Sequence, residues 1–304
     1  MSEQEVRPLM ASGRFSKVRQ RFVANVASIR TILANRRTRA KGPHEPLPAG
    51  QRPQDFLAIL LLAAGFGVVM LDIPAIPWVR ALPPEYGVVF SWVTDLGKSN
   101  WILWSTGLFC LACLALVNAQ VLAVRVRMAG VMIWTYAAFV FYSVALSGLL
   151  VVILKWSIGR ARPKLYEVAG PVEFSLFAFN STYTSFPSGH STTVAAFALA
   201  LALIFPAWRW LIAAVAFWAA FSRVMVGAHY PSDVAAGLLL GAATTLYCAR
   251  WMAKRRIGFV LRPGGRIRPI ANAFSARAAF RALWNAALGR RSMTAHPAAA
   301  QDEK

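Results

Sequence analysis

Residues 131–154 read VMIWTYAAFVFYSVALSGLLVVIL, an apolar stretch of 24 residues without a charged side chain. A helix needs about 20 such residues to cross the hydrocarbon core of a bilayer. The whole chain agrees with this pattern, because 57% of its 304 residues are hydrophobic and 15% are charged. Soluble domains are about one quarter charged. The stretch therefore predicts a membrane-spanning helix in an integral membrane protein.

Five further apolar segments accompany this one along the chain. In order, the six segments are Phe56–Leu71, Trp101–Val124, Val131–Leu154, Ser191–Phe205, Leu211–Val226 and Val234–Trp251. None alternates in polarity as the strands of a membrane barrel do, so the segments favour helices, which satisfy their own backbone hydrogen bonds in lipid. The sequence predicts an all-α fold, a polytopic membrane bundle of six transmembrane helices in residues 53–251.

The basic residues concentrate at the two ends of the chain. Of 33 Lys and Arg residues, 11 lie in residues 1–52 and 12 lie in residues 248–304. A nucleic-acid groove is not expected, because basic flanks around an apolar middle are typical of the cytoplasmic ends of membrane proteins. Both termini are predicted to be cytoplasmic. Residues 72–100, 155–190 and 227–233 are then predicted to lie on the outer face.

Two basic regions, residues 1–52 and 252–304, flank the predicted bundle. In the first, apolar residues recur from Phe15 to Leu33 between basic ones, which suits a helix lying on an anionic membrane surface. A solvated tail is an equal alternative. The stretch around residues 274–284 has a similar pattern. Anionic lipids are the predicted partners of both regions, at the inner membrane of a bacterial cell.

Three polar clusters occur at the predicted outer ends of the apolar segments. They read KWSIGRARP over residues 155–163, PSGH over residues 187–190, and SRVMVGAHYPSD over residues 222–233. Charged groups at membrane helices are costly to desolvate, so they indicate function by default. Because the predicted topology puts all three clusters on one face, they can converge on a single pocket.

The clusters contain groups that can hold a phosphate. Lys155, Arg162 and Arg223 offer cationic donors, and a guanidinium suits bidentate contact with phosphate oxygens. Ser188 is a candidate N-cap, and Gly189 would leave amide groups open at a helix N-terminus. Such a terminus binds anions through its free donors and its dipole.

His190, His229 and Asp233 supply groups for catalysis. An imidazole can be a nucleophile, or an acid or base near neutral pH. Asp233 lies four residues beyond His229, about one helical turn away, so its carboxylate can accept from one ring nitrogen and fix the tautomer. No metal is expected, since the sequence shows no carboxylate cluster to hold one.

In order and spacing, K-x6-R-P, P-S-G-H and S-R-x5-H-x3-D resemble the three-part signature of the type 2 phosphatidic acid phosphatase (PAP2) superfamily. The resemblance extends over the six apolar segments and leaves out the basic ends. It implies a membrane phosphatase without cofactor that works by two-step phosphoryl transfer. His229 would attack phosphorus, Asp233 would orient it, and His190 would protonate the leaving oxygen. The residues that the resemblance assigns to the phosphate oxygens are Lys155, Arg162, Ser188, Gly189 and Arg223.

The predicted substrate is a phosphorylated lipid, because a site at the membrane surface lets a lipid tail stay in the bilayer. Polyprenyl diphosphate, phosphatidic acid, phosphatidylglycerol phosphate and a lipid A-type phosphate are all compatible with it. A lipid-to-lipid phosphotransferase would use the same groups, with a second headgroup in place of water. A non-catalytic binding protein or transporter is disfavoured, since binding alone does not need two histidines and an orienting carboxylate.

Some charged residues on the predicted outer face match no signature position. Arg160 and Lys164 are therefore expected to be solvated or lipid-facing. Asp95 and Lys98 lie in a predicted outer loop, where an ordinary interfacial role is favoured over contact with a headgroup.

Overall fold

A computed structural model describes residues 6–37, 47–50, 52–118 and 124–270, and these are mostly helical, as predicted. The helical pattern predicted around residues 274–284 lies outside the described residues. The helices and strands of the described ranges are α1 (Val6–Arg37), α2 (Pro53–Phe66), α3 (Ile73–Arg80), α4 (Pro84–Thr94), α5 (Ser99–Leu116), α6 (Val124–Ile158), α7 (Tyr166–Ala169), α8 (Gly189–Ile204), α9 (Arg209–Met225), α10 (Pro231–Lys254), β1 (Phe259–Arg262) and β2 (Arg266–Pro269).

Four helical stretches in the described ranges have the length and composition to cross a membrane. They are Pro53–Arg80, Pro84–Leu116, Val126–Ile158 and Pro231–Lys254. The first joins α2 to α3 through a π-helical turn, and the second joins α4 to α5. Helices α8 and α9 are apolar but have 16 and 17 residues, fewer than the about 20 that a bilayer core asks for. The count of six transmembrane helices thus stays a prediction.

The stretch of residues 72–100, which is predicted to lie on the outer face, is largely helical, because α3 and α4 occupy most of it. Pro74, Pro83 and Pro84 lie at helix starts, whereas Pro77 lies inside α3. Pro84, for example, is the first residue of α4, where the N–H that proline lacks would have no partner in the helix. The three prolines at helix starts therefore divide the stretch into helices without unfolding it.

Helices α8 and α10 pack closely through two glycines of α10. A Cβ at Gly237 would lie 2.5 Å from the backbone oxygen of Ser188, and one at Gly241 would lie 2.2 Å from that of Thr192. Small residues four apart let two membrane helices approach in this way. The approach sets the N-terminal ends of α8 and α10, which carry the second and third polar clusters, side by side.

The buried core joins α5, α6, α8 and α10 and includes a β-hairpin that the all-α prediction lacked. Strands β1 and β2 pair antiparallel, with Phe259 opposite Pro269. Phe259 is fully buried, and its ring centroid lies 4.9 Å from that of Phe139 in α6. The buried members of this core are Ile102, Phe139, Val140, Val144, Ala196, Ala200, Ala249, Ala253 and Phe259.

Helix α1 covers much of the N-terminal basic region and packs against the end of α5. The Asn25 amide donates to the backbone oxygens of Leu114 and Val117, each at 2.9 Å. Near its C-terminal end, Arg36 donates to the backbone oxygen of Arg256 at 2.7 Å. Its binding to anionic lipids remains a prediction.

Candidate active site

The three polar clusters lie at neighbouring helix ends. The first begins in the last turn of α6, the second opens α8, and the third joins α9 to α10. The Ser188 N–H donates to the backbone oxygen of Asp233 at 2.9 Å, which ties the second cluster to the third. Lys155 donates through Nζ to the backbone oxygen of Thr184 at 2.9 Å, just before the second cluster. The structure therefore brings the three clusters together at one end of the bundle.

Lys155 and Arg162 are both anchored on the loop that precedes α8. Arg162 donates from Nη2 to the Thr184 hydroxyl at 3.1 Å and from Nε to the Ser181 backbone oxygen at 3.0 Å. A Cβ at Gly189 would lie 3.8 Å from Lys155 Nζ, so the ammonium group lies beside the first residue of α8. An ammonium has three donors and a guanidinium has five, which leaves both cations with further donors for an anion.

Arg223 reaches the same region from the last turn of α9. Its Nη1 donates to the hydroxyl of Thr94 at 2.7 Å. Its Nε is buried and has no hydrogen-bond partner among the residues that the structure describes. A buried donor without a partner costs free energy, and a phosphate oxygen bound here would remove that cost.

The N-terminus of α8 has the cap that the sequence predicts. The Ser188 Oγ accepts from the Ser191 hydroxyl at 2.9 Å and from the Ser191 N–H at 3.4 Å. Gly189 is the first residue of the helix, and the first amides of a helix have no partner within it. The N-cap role of Ser188 is confirmed, whereas contact of Ser188 and Gly189 with phosphate stays a prediction.

A tight turn after α9 places His229. The backbone oxygen of Arg223 accepts from the N–H groups of Ala228 and His229, at 3.1 and 3.2 Å. Gly227 has φ +64° in this turn, a left-handed conformation that glycine adopts without steric cost. Helix α10 then begins at Pro231.

The side chains of His229 and Asp233 face each other in the interior. His229 is 2% exposed and Asp233 is fully buried. The distance from His229 Nδ1 to Asp233 Oδ2 is 3.6 Å, which is longer than a hydrogen bond, and Nδ1 has no hydrogen-bond partner within the described ranges. Catalytic hydrogen bonds are often long without substrate and shorten in the complex. Asp233 Oδ2 also accepts from the Ser185 hydroxyl at 2.5 Å and from the Tyr230 N–H at 3.0 Å.

Burial lowers the pKa of His229 to about 4, because desolvation penalises the imidazolium. Asp233 acts in the opposite direction, while the nearby cations Lys155 and Arg223 lower the pKa further. The ring is neutral at neutral pH, the state that a nucleophile requires.

His190 lies in the first turn of α8 against a short 3-10 turn at Asp95–Gly97. A Cβ at Gly97 would lie 3.3 Å from His190 Cδ2, so the absence of a side chain there lets the turn contact the imidazole. Asp95 and Lys98 form an exposed salt bridge of 2.7 Å with each other. Burial lowers the pKa of His190 to about 4, and the charges of Arg223 and His229 lower it further.

The prediction that Arg160 is solvated or lipid-facing was wrong. Its side chain is fully buried and forms ion pairs of 2.6 Å with Asp72 and with Asp233. Buried charges are paired, because an unpaired one is too costly to desolvate. The signal that could have found the pair is Asp72 itself, an acidic residue directly after the first apolar segment. Lys164, in contrast, is exposed.

A cavity of about 380 Å³ lies beside these residues and is lined by Arg162, Lys164, Ser181, Gly227 and Ala228. Arg162 of the first cluster forms one wall of the cavity. Gly227 and Ala228, in the turn that precedes His229, form another. The cavity thus offers polar space between Arg162 and the turn that precedes the predicted nucleophile.

Comparison with known proteins connects this site to one family. The sequence profile of the PAP2 superfamily matches residues 136–257. A lipid A 1-phosphatase from Rhizobium johnstonii is 42% identical over 57% of this chain and 70% of its own length. A lipid A 1-phosphatase from Rhizobium etli is 36% identical over 70% of this chain and 91% of its own.

The chain is also similar to a solved structure. It is the crystal structure of a transmembrane PAP2 type phosphatidylglycerolphosphate phosphatase from Bacillus subtilis. It superposes with a TM-score of 0.45 at 22% identity, covering 64% of this chain and 93% of that chain.

Proposed function

The chain belongs to the PAP2 superfamily of phosphatases, and on this premise we propose that it removes phosphate from a membrane lipid at the periplasmic face of a bacterial inner membrane. Among the four compatible lipid classes, we favour a lipid A-type phosphate. The support is that two proteins named lipid A 1-phosphatase share 42% and 36% identity with this chain, and that the second match covers 91% of that protein.

The observation that carries the proposal is the buried His229–Asp233 pair. The Nδ1 atom of His229 points at Asp233 Oδ2, 3.6 Å away. With its proton on Nδ1 directed at the carboxylate, the imidazole has its lone pair on Nε2. That tautomer is the nucleophilic one for attack through Nε2.

The reaction follows in two steps. In the first, His229 Nε2 forms a bond to phosphorus while the bond from phosphorus to the lipid oxygen breaks. His190, which the negative charge of the bound phosphate keeps protonated by raising its pKa, gives that oxygen its proton. In the second, water attacks the phosphohistidine, its proton returns to His190, and the bond from phosphorus to Nε2 breaks to release inorganic phosphate. One histidine serves as nucleophile and the other as acid and then base.

The cations stabilise the charge that moves onto the phosphate oxygens during both steps. Lys155, Arg162 and Arg223 are held by their own protein partners and keep further donors for the oxygens. Ser188 and the Gly189 amide would add donors from the start of α8. Fixed donors of this kind need no reorganisation during reaction. They also supply the charge that a metal ion would otherwise provide, so we propose that the reaction needs no metal.

A lipid substrate fits the position of the site better than a soluble ester. The site lies at the ends of apolar helices, where large side chains such as Trp92, 79% exposed, and Trp104, 69% exposed, cover the outside. Tryptophans of this kind are typical of the membrane interface. A headgroup can therefore enter the polar cavity while its acyl chains stay in the bilayer.

The proposal is tested by phosphate release from detergent-purified protein. The substrates are polyprenyl diphosphate, phosphatidic acid, phosphatidylglycerol phosphate and lipid A, all with EDTA present. We expect release from lipid A that persists in EDTA and falls at least about 10³-fold in His229→Ala, since removing a nucleophile leaves only binding and electrostatic catalysis.

The matched control is Arg209→Gln, which removes an exposed Arg at the opposite end of α9 from Arg223. It should keep wild-type activity. Near-normal release by a folded His229→Ala protein would contradict the nucleophile assignment. Release that appears only with an added lipid acceptor would favour phosphotransfer over hydrolysis.

A further inference from the structure

The Arg160 guanidinium uses all of its donors inside the protein. Nη1 donates to the Ser232 hydroxyl and to Asp233 Oδ1, each at 2.6 Å. Nη2 donates to Asp72 Oδ2 and to the Pro171 backbone oxygen, each at 2.6 Å, and Nε donates to the same Pro171 oxygen at 3.0 Å. A guanidinium has five N–H donors, so none remains for a phosphate. Arg160 therefore bonds only within the protein, whereas Arg162, two residues later, keeps further donors for an anion.

Asp72 completes this buried cluster from the first candidate membrane span. Its Oδ1 accepts from the Ser232 N–H at 3.0 Å, and its Oδ2 accepts from the Ser232 hydroxyl at 2.5 Å. It ends a π-helical turn that begins at Gly67. A Cβ at Gly67 would lie 2.8 Å from the Cβ of Ser232, so this glycine lets the span approach the start of α10. Turns of this kind are frequent at functional sites.

The cluster fixes the carboxylate that faces the nucleophile. Arg160 holds Asp233 Oδ1 at 2.6 Å, while Oδ2 carries the contacts on the side of His229. A carboxylate held at one oxygen cannot rotate freely, so the other oxygen keeps its direction. Asp72 in turn holds Arg160 and Ser232, and thereby limits movement of the guanidinium. All four side chains of the cluster are fully buried, so water does not compete for these bonds.

We propose that Arg160 and Asp72 are positioning residues, which orient Asp233 and through it hold His229 in its nucleophilic tautomer. The inference rests on the proposed function, since it needs His229 as the attacking group. It extends the catalytic machinery to the first candidate span, because Asp72 lies outside residues 136–257 that the family profile matches. The alternative role is a structural one, in which the cluster only ties the first candidate span, the loop after α6 and the start of α10 together.

A double-mutant cycle separates these two roles. We expect Arg160→Gln to lower kcat about 10²-fold with KM changed less than about threefold, because small misplacements of a catalytic group cost this much. In an Asp233→Asn background the same substitution should lower kcat less than about threefold, because the carboxylate that it positions has already lost its role. Equal losses in both backgrounds would overturn the proposal.

Two further variants keep the test valid if Arg160→Gln folds poorly. Asp72→Asn preserves the size of the side chain and should lower kcat about 10-fold, and Arg160→Lys should recover part of the loss seen in Arg160→Gln. The matched control is Arg250→Gln, which removes another buried Arg near the far end of α10. It should leave kcat unchanged even if it lowers the melting temperature. A fall in kcat that follows the melting temperature in all four variants would also overturn the proposal.

A spectroscopic measurement makes the outcome independent of turnover. Ring 15N shifts of histidine-labelled protein show which nitrogen carries the proton, and His229→Ala identifies the signal. We expect the Nδ1–H tautomer in the wild type and a mixture in Arg160→Gln. An unchanged tautomer would overturn the positioning role even in an active enzyme. Failure of the proposed function would differ from this, because the wild type would then release no phosphate from any of the four lipids.

Discussion

At the scale of single residues, the protonation state of His229 is set by where the ring lies. The imidazole is 2% exposed, and burial lowers its pKa to about 4. Asp233 favours the charged ring, but it is shared with Arg160, Ser185 and the Tyr230 N–H. The attraction of the carboxylate is therefore too weak to keep the ring protonated at neutral pH. It can still orient the neutral ring.

This arrangement predicts the titration of His229. Its ring should titrate near pH 4 in the folded protein, below the ordinary value of about 6.5. Because the folded pKa is the lower one, the buried neutral ring contributes fully to stability above pH 6.5. That contribution is lost as the pH falls through 4, since the unfolded chain binds the proton more readily.

The measurement is ring 13C and 15N NMR of histidine-labelled protein as a function of pH, with His229→Ala as the reference for assignment. Asp233→Asn is the informative variant, because loss of the carboxylate should lower the pKa of His229 still further. A midpoint at or above 6.5 in the wild type would contradict burial as the dominant cause.

At the scale of elements, the contact between α8 and α10 determines whether the catalytic groups meet. A Cβ at Gly241 would lie 2.2 Å from the Thr192 backbone oxygen, closer than real Cβ atoms come, so the helices must move apart. We expect Gly241→Ala to destabilise the protein by about 1–3 kcal/mol, as overpacking does. Phosphate release should fall as well, because Ser188 and Asp233 then lose their backbone hydrogen bond.

Thermal unfolding in detergent and phosphate release measure the two effects. Gly148→Ala in α6 is the matched control, because a Cβ there meets no atom within 4 Å. It should leave both quantities near wild type. Equal melting temperatures for the two variants would show that the close helix contact does not determine stability.

At the scale of the whole molecule, the basic ends of the chain predict which way the site faces. Arg36 of the N-terminal basic region donates a hydrogen bond to the backbone oxygen of Arg256, which belongs to the C-terminal basic region. The two basic regions therefore contact each other. Lys and Arg are retained on the cytoplasmic side. We therefore expect the histidines to open to the periplasm.

Labelling of single cysteines tests this orientation. In a variant in which Cys110, Cys113 and Cys248 are replaced by Ala, Val168→Cys lies in α7 near the site, where Val168 is 90% exposed. Arg266→Cys lies in the β-hairpin. A membrane-impermeant maleimide should label the first in intact spheroplasts and the second only after lysis. The reverse pattern would place the site in the cytoplasm.

The local content of the sequence was enough to predict the membrane class, the helical segments and three polar clusters that the structure brings to one end of the bundle. Apolar runs such as residues 131–154 are long enough to demand lipid, and hydrophobicity acts along the chain without reference to distant residues. His229 and Asp233 are four residues apart, so the chain itself keeps their side chains within about one helical turn of each other. Ser188 caps α8, as its sequence position before an apolar run predicts.

Tertiary structure alone decided the environment of the charges. Nothing local in KWSIGRARP distinguishes Arg160, which is buried, from Lys164, which is exposed just beyond that stretch. The difference arises because Asp72, 88 residues earlier, and Asp233, 73 residues later, are brought to the same place by the packing of the first span on α10. The free energy of a charge depends on the partners and water around it, and those are set by residues far away in the chain.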